Sequence, residues 1–339
     1  MTDRVVQTSS APIRSITGVQ IVSTGGYVPD NIVRNEDLAS QGYDSEWIIQ
    51  RTGILERRHA PPEMATSDMA IKAAERALHN AGATAADVDL VILGTFTPDW
   101  SVPASACQVQ TKLGINAPAM DVHAACAGFF YALLTGMQYV ASGCSKLALV
   151  IGADTNSRLV DPSEKKTYPL FGDGAGAVLL AKGSPEQGFL SYTMGADGSG
   201  ADLLYSPMGG SRCRPSVASV QAGEHYLRME GRPVFKWAVR LVAQTTREVL
   251  AAANLNISDL DLVALHQANL RIIDAAVEDL GLPREKVLIN LDLYGNTSAA
   301  SIPLVLDEAN QAGRIHQGSR ILISGFGAGL AWGTGIFQW

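Results

Sequence analysis

The strongest constraint on how this chain can fold is that it repeats itself. Residues 77–93, ALHNAGATAADVDLVIL, have the pattern of a helix, an Asp-bearing turn and a strand, and residues 249–265, VLAAANLNISDLDLVAL, have it again. The offset is 172 residues, from Gly94 to His266, about half of a chain of 339. Asp87, Asp89, Leu90, Val91 and Leu93 meet Asp259, Asp261, Leu262, Val263 and Leu265. That is more agreement than two unrelated amphipathic units give, and internal duplication is its natural reading. The segments after the two copies also match in kind. A helix closes on Leu113-Gly114 or Leu280-Gly281, then come a strand (PAMDVHA, KVLINLDL), a second helix and an apolar strand (LALVIGAD, RILISGFG). Short β-rich runs alternating with helices indicate α/β layers with parallel or mixed sheets. Two such halves packed together make a layered sandwich. A generic doubly wound fold carrying two similar units is the competing reading.

The expected division is a loose polar tail over residues 1–15, an N-terminal half over 16–185 and a C-terminal half over 186–339. The stretch between Ser157 and Arg228 reads as one clear strand within much Gly, Pro and Ser. Loops of that kind over a rigid scaffold either line a substrate entrance or are surface excursions. With 47% hydrophobic and 17% charged residues the chain can bury a large core. Its net charge of −7 argues against a general nucleic-acid binder, so an anionic partner must meet a local basic patch. The first residues hold no apolar run fit for a signal peptide or a membrane span. The four cysteines have neither CxxC spacing nor the density of a disulfide scaffold. A reduced, cytoplasmic setting with no metal site is the expectation.

Cys126 stands in AMDVHAACAGFFYALL, where a β-like run gives way to an apolar helix. Free N–H groups and the positive end of the dipole at a helix N-terminus favour a thiolate, the form a nucleophile needs. Cys107, in a helical run, Cys144, in a turn, and Cys213, in a loop, lack that context and read as structural. His266 and Asn269 directly follow the strand LDLVAL, and Asn296 follows the next strand in YGNTSAAS, again at a turn into a helix. In a duplicated fold these strand ends converge near the interface of the halves, so Cys, His and Asn can share one pocket. Without duplication, His266 is an ordinary hydrogen-bonded histidine and Asn296 a helix cap. The glycine-rich segments at 171–180 (FGDGAGAVLL) and 325–333 (GFGAGLAWG) lack phosphate-loop spacing and read as tight turns bringing N–H groups toward a reacting centre.

Taken in order, SEWIIQRTGILERR, AACAGFFYAL, FGDGAGA, HQANLRI, GNTSAAS and GFGAGLAWG resemble β-ketoacyl-acyl-carrier-protein synthase III over nearly the whole chain. The resemblance implies a thiolase-like five-layered αβαβα sandwich and a homodimer. It implies no cofactor, and acyl-CoA and a malonyl acyl carrier protein as substrates. Cys126 would carry the acyl group, and His266 with Asn296 would stabilise the enolate formed on decarboxylation. The backbone N–H groups of Cys126 and Ala328 would form the oxyanion hole. Trp47, Arg51 and Lys165 would contact CoA, Gly231 and Asn269 would line the pantetheine tunnel, and Lys236 and Arg271 would help dock the carrier protein. Val102 would close the acyl pocket of the partner subunit.

Four positions depart from a familiar relative. Lys165 replaces an arginine that stacks on adenine, Glu278 and Asp279 replace a lysine pair, and Val102 replaces a phenylalanine. A smaller Val102 would admit longer or branched acyl groups. The altered docking residues leave open a paralogue acting in a specialised pathway, while a degradative thiolase lacks its second active cysteine here.

Overall fold

The computed structural model describes residues 11–339. Ten strands, β1 (Arg14–Thr17), β2 (Val19–Tyr27), β3 (Leu90–Gly94), β4 (Ala119–Val122), β5 (Leu147–Asp154), β6 (Gly174–Lys182), β7 (Gly188–Ala196), β8 (Leu262–Leu265), β9 (Arg320–Gly327) and β10 (Ala331–Gln338), form two five-stranded sheets. The first sheet has the order β2-β6-β5-β3-β4 and the second β1-β7-β10-β9-β8. In each, parallel pairing surrounds the repeated strand (β3 with β4 and β5; β8 with β9), and antiparallel strands complete the far side.

Seven helices matter for the site: α1 (Ser45–Thr52), α2 (Thr66–Ala81), α3 (Ser105–Leu113), α4 (Gly128–Ala141), α5 (Gly231–Ala252), α6 (Leu270–Leu280) and α7 (Ser301–Gln311). Val91 and Leu93 of β3 turn outward onto Met69, Ala73 and Ala77 of α2 and Val109 of α3. Ile92, between them, turns inward into a cluster holding Phe129 and Phe130 of α4 and Ile302 and Leu306 of α7. The second sheet repeats the pattern: Leu262 and Ala264 join that inner cluster, while Val263 and Leu265 face Trp237 and Leu241 of α5 and Ile273 of α6. Alternate residues of a strand point to opposite faces, so this division fixes five layers, α2/α3, sheet, α4/α7, sheet, α5/α6. The thiolase-like sandwich expected from the sequence is the fold observed. Helix α4 is buried on almost every face, which is why its sequence is apolar all round.

Several expectations need correction. Arg14 and Ser15 are part of β1, which pairs with β7 and so joins the sheet of the second half; residues 1–10 of the expected tail lie outside the described residues. The stretch 157–228 contributes two nine-residue strands, β6 and β7, where the sequence suggested one. FGDGAGAVLL is largely strand β6 and not a tight turn. Its glycines are there for close approach: a Cβ on Gly176 would stand 2.7 Å from the Pro303 side chain of α7. KVLINLDL forms no strand; it keeps a single parallel bridge, Val287 to Val263, and then turns through the short helix Leu291–Tyr294.

Candidate active site

Both central helices begin with the same strained turn. A 3-10 turn spans Ala125–Ala127 with Ala125 at φ 46°, and another spans Ser298–Ala300 with Ser298 at φ 54°. Left-handed backbone at a non-glycine residue costs energy and persists only where the surroundings impose it. Here it aims the first turns of α4 and α7 at each other across the interface of the halves, and the two turns pack together. Cys126 sits in the first, and the Ser298 hydroxyl in the second donates to its Sγ at 3.3 Å.

Burial pushes the Cys126 thiol up to about 12, while the Ser298 hydroxyl pulls it down. The positive ends of two helices act in the same direction as that hydroxyl. His266 follows β8 and is buried; desolvation lowers it to about 3, against which the Ser298 backbone carbonyl works. Its imidazole is therefore neutral at physiological pH. Phe326 packs against it nearly edge to face, with ring centroids 5.2 Å apart. The Asn296 Oδ1 accepts from the Ser298 N–H at 2.9 Å, which commits the amide oxygen and leaves its NH2 free to donate. Its backbone is clamped on both sides, Asn296 N to Leu170 O at 2.8 Å and Gly172 N to Asn296 O at 3.1 Å.

Cys126, His266 and Asn296 share a cavity of about 280 Å³ that runs past Phe326, Gly231 and Asn269 to Trp47 and Arg51. Cys126 also borders a second cavity of about 1110 Å³, lined among others by Phe96, Tyr131, Leu159 and Ala328. Phe171 and Leu204 are the other residues common to both. The sulfur thus stands at the junction of a narrow channel and a wide, largely apolar chamber. A Cβ on Gly327, at the end of β9, would lie 2.8 Å from the Cys126 N, so the glycine-rich turn carrying Ala328 passes directly against the nucleophile's backbone.

The other candidates separate into those at the channel and those away from it. Arg51 lies over the Trp47 ring, 5.9 Å from its centroid, and both line the channel mouth. Asn269 caps α6, accepting from Arg271 N at 2.9 Å and donating to Arg51 O at 3.1 Å. It lines the tunnel as a strut whose amide is already engaged. Arg271 lies over Phe235 at 5.6 Å and also reaches the channel. Lys236 stands exposed beside Arg232 and Arg240 on one face of α5. The Lys165 Nζ donates to Gly42 O at 2.7 Å, and its neighbour Lys166, not Lys165, lines the channel. Val102 is 82% exposed and borders neither cavity of its own chain, although Trp100 and Ser101 border the larger one. Asp279 pairs with Arg247 at 3.1 Å.

The sequence did not single out two residues that the geometry does. Ser298 lies within GNTSAAS, where Asn296 draws the attention; its proximity to Cys126 exists only once the halves meet. Asp154, at the end of β5, is buried and accepts from Thr95 Oγ1, Phe96 N, Thr97 N and Thr97 Oγ1 through one oxygen and from Ala299 N, at 3.1 Å, through the other. An apolar strand ending in Asp was the available signal.

A cysteine at a helix N-terminus, with a neutral His and an Asn donor in one channel of a duplicated five-layer sandwich, defines a thiolase-fold condensing enzyme. Profiles described as 3-oxoacyl-[acyl-carrier-protein] synthase III match residues 120–198, and its C-terminal part matches 250–339. The β-ketoacyl-[acyl-carrier-protein] synthase III of Rhodopirellula baltica is 52% identical, covering 96% of this chain and 99% of that protein. The solved 3-oxoacyl-[acyl-carrier-protein] synthase III of Aquifex aeolicus is 42% identical, with TM-score 0.87 over 95% of this chain and 100% of that one. A priming β-ketosynthase of the R1128 polyketide pathway is 33% identical with TM-score 0.88, covering 98% of each chain. The chain belongs to the β-ketoacyl-[acyl-carrier-protein] synthase III family, acyltransferases that initiate fatty-acid synthesis.

Proposed function

We propose that Cys126 takes an acyl group from acyl-CoA and that His266 and Asn296 direct its condensation with a malonyl acyl carrier protein. The observation that carries this reading is the position of Cys126 at the junction of the two cavities, with His266 and Asn296 in the narrower one. In the first half-reaction Sγ attacks the thioester carbonyl, the thiol proton passes to neutral His266 or to water, and CoA leaves and is protonated. The negative oxygen faces the N–H groups of Cys126 and Ala328. In the second, the bond from the malonyl α-carbon to its carboxylate breaks and CO2 departs. The enolate oxygen accepts from the Asn296 NH2 and the His266 imidazole, its α-carbon bonds to the acyl carbonyl, and the Cys126 sulfur is released. Both steps are polar and require no resident cofactor.

The narrow channel suits a pantetheine arm, with Trp47 and Arg51 at its mouth for the nucleotide end. Lys166 supplies charge there in place of Lys165. Arg271 and Lys236 offer the local basic patch that an acidic carrier protein needs on a chain of net charge −7. The exposure of Val102 and Trp100 beside the wide chamber supports a homodimer in which each subunit finishes the other's acyl pocket. With a valine at that place, the chamber accommodates acyl groups longer or more branched than acetyl. Four free cysteines fit a reducing cytoplasm.

The test is intact-protein mass after mixing with acyl-CoAs from acetyl to decanoyl, with Cys126→Ala as control. The expected result is one acyl adduct, absent from the variant, forming faster with butyryl- or isobutyryl-CoA than with acetyl-CoA. No adduct with any member would refute the CoA donor, and a strong acetyl preference would refute the pocket argument.

A further inference from the structure

Arg57 is completely buried, and among the described residues no carboxylate pairs with it. Enclosing a guanidinium in this way carries a large desolvation penalty. Burial pulls Arg57 down to about 10 from its usual 12.5. All its hydrogen bonds go to neutral acceptors: Nη1 to Val33 O at 3.0 Å, and Nη2 to Asn35 Oδ1 at 2.6 Å and Pro169 O at 2.9 Å. Asn35 is itself buried and anchored, its Nδ2 on Ile54 O at 2.8 Å. The guanidinium therefore joins the hairpin of Ile32–Arg34 and Glu56–Arg58 to the segment that begins at Pro169.

That segment is the one that grips Asn296. Leu170 O accepts from Asn296 N at 2.8 Å, Gly172 N donates to Asn296 O at 3.1 Å, and Phe171 bridges to Asn296. The Arg57 stem lies directly behind the same backbone. A Cβ added at Gly172 or Gly295 would stand 3.3 or 3.2 Å from the Arg57 Cβ. The following residue is tied to the same strand, Asp173 N donating to Arg58 O at 2.8 Å. The clamp reaches Cys126 only at second hand, through Ser298, whose N–H donates to Asn296 Oδ1 and whose hydroxyl donates to the sulfur.

We infer that Arg57 is a positioning residue for Asn296, holding the 169–172 clamp so that the Asn296 amide donates at the place where the enolate oxygen forms. The inference rests on the role proposed for Asn296 in condensation. It distinguishes the two half-reactions: Arg57 acts on carbon-carbon bond formation directly through Asn296 and on acylation of Cys126 only indirectly, through Ser298. Lysine keeps the charge but cannot span three divergent acceptors with a planar fork.

The experiment measures, for wild type, Arg57→Lys, Arg57→Ala and Asn296→Ala, the acylation burst by intact mass, the condensation rate with malonyl carrier protein, and the thermal midpoint. Arg57→Lys is expected to keep its burst within about threefold and to lose about a hundredfold in condensation, the scale of a misplaced catalytic group. Added guanidinium is expected to restore part of the condensation rate of Arg57→Ala. If Arg57→Ala does not fold, Asn35→Ala takes its place and is expected to show the same separation more weakly. Burst and condensation falling together, in step with the thermal midpoint, would make Arg57 a fold residue only and overturn the inference. So would an unaffected condensation rate in Arg57→Lys while Asn296→Ala is impaired. Normal condensation by Asn296→Ala would instead remove the functional reading, and this inference with it.

Discussion

The turns that open α4 and α7 are two copies of one device, and they have been put to different uses. Each starts with a left-handed residue, Ala125 or Ser298, passes through a 3-10 turn and enters a central helix. In one copy the next residue is Cys126, in the other Ala299. The strand beside each turn ends in Asp154 or in Gly327, corresponding positions of β5 and β9. Asp154 takes the N–H of Ala299, so that donor is consumed in holding the turn. Gly327 presents no side chain, and the Cys126 N–H lies against its own sulfur in place of a neighbouring carboxylate. One copy has become a fixed support carrying Asn296 and Ser298; the other, among the described residues, leaves its N–H without a carboxylate partner, as the proposed oxyanion role requires. Duplicated geometry becomes a catalytic centre by unequal satisfaction of equivalent groups.

Substitutions at the two turns test this asymmetry. Gly327→Ala should have the largest effect. Its methyl would sit 2.8 Å from the Cys126 N and Cβ, and loss of the oxyanion donor should slow the acylation burst about a hundredfold. A burst at wild-type rate would break the asymmetry argument. Asp154→Asn comes next, leaving the Ala299 N–H facing an amide donor at a cost of about 1–3 kcal/mol, with condensation falling about tenfold as the Asn296 turn relaxes. Burial raises Asp154 from 3.8 to about 6, so the folded protein holds that proton more tightly than the unfolded chain does. Wild type should therefore lose stability relative to the variant as pH rises from about 4 to about 6, with a constant difference above. Thermal midpoints across that range check the sign. Ser298→Ala should have the smallest effect. Removing the donor on Sγ disfavours the thiolate, and alkylation of Cys126 at pH 8 should slow about threefold. Unchanged alkylation would mean that the helix ends alone tune the thiol.

The site was legible to the extent that its residues announce themselves locally. Cys126 and His266 follow strands, Cys126 and Asn296 precede turns into helices, and the offset between copies placed all three in one pocket. Ser298 was not legible in that way, because its hydroxyl is functional only through a sulfur 172 residues away. Lys165 and Lys166 show a finer limit: adjacent lysines are equivalent on paper, and the backbone path decided which lines the channel. KVLINLDL read as a strand by composition, yet after one bridge the chain turns away to deliver Asn296.

By itself the sequence determined most of the elements and their duplication, since hydrophobic period and turn chemistry act between near neighbours and survive in a one-dimensional record. Only the tertiary structure decided which of two equivalent turns has its N–H taken by an aspartate, where channel and chamber meet, and that the buried Arg57 stands behind the Asn296 clamp. These depend on contacts between layers, where a buried polar group must find its partner in whatever the other half presents. Which partner that is, the carboxylate of Asp154 for Ala299 or the thiol's own sulfur for Cys126, is fixed by how the two sheets close over α4 and α7.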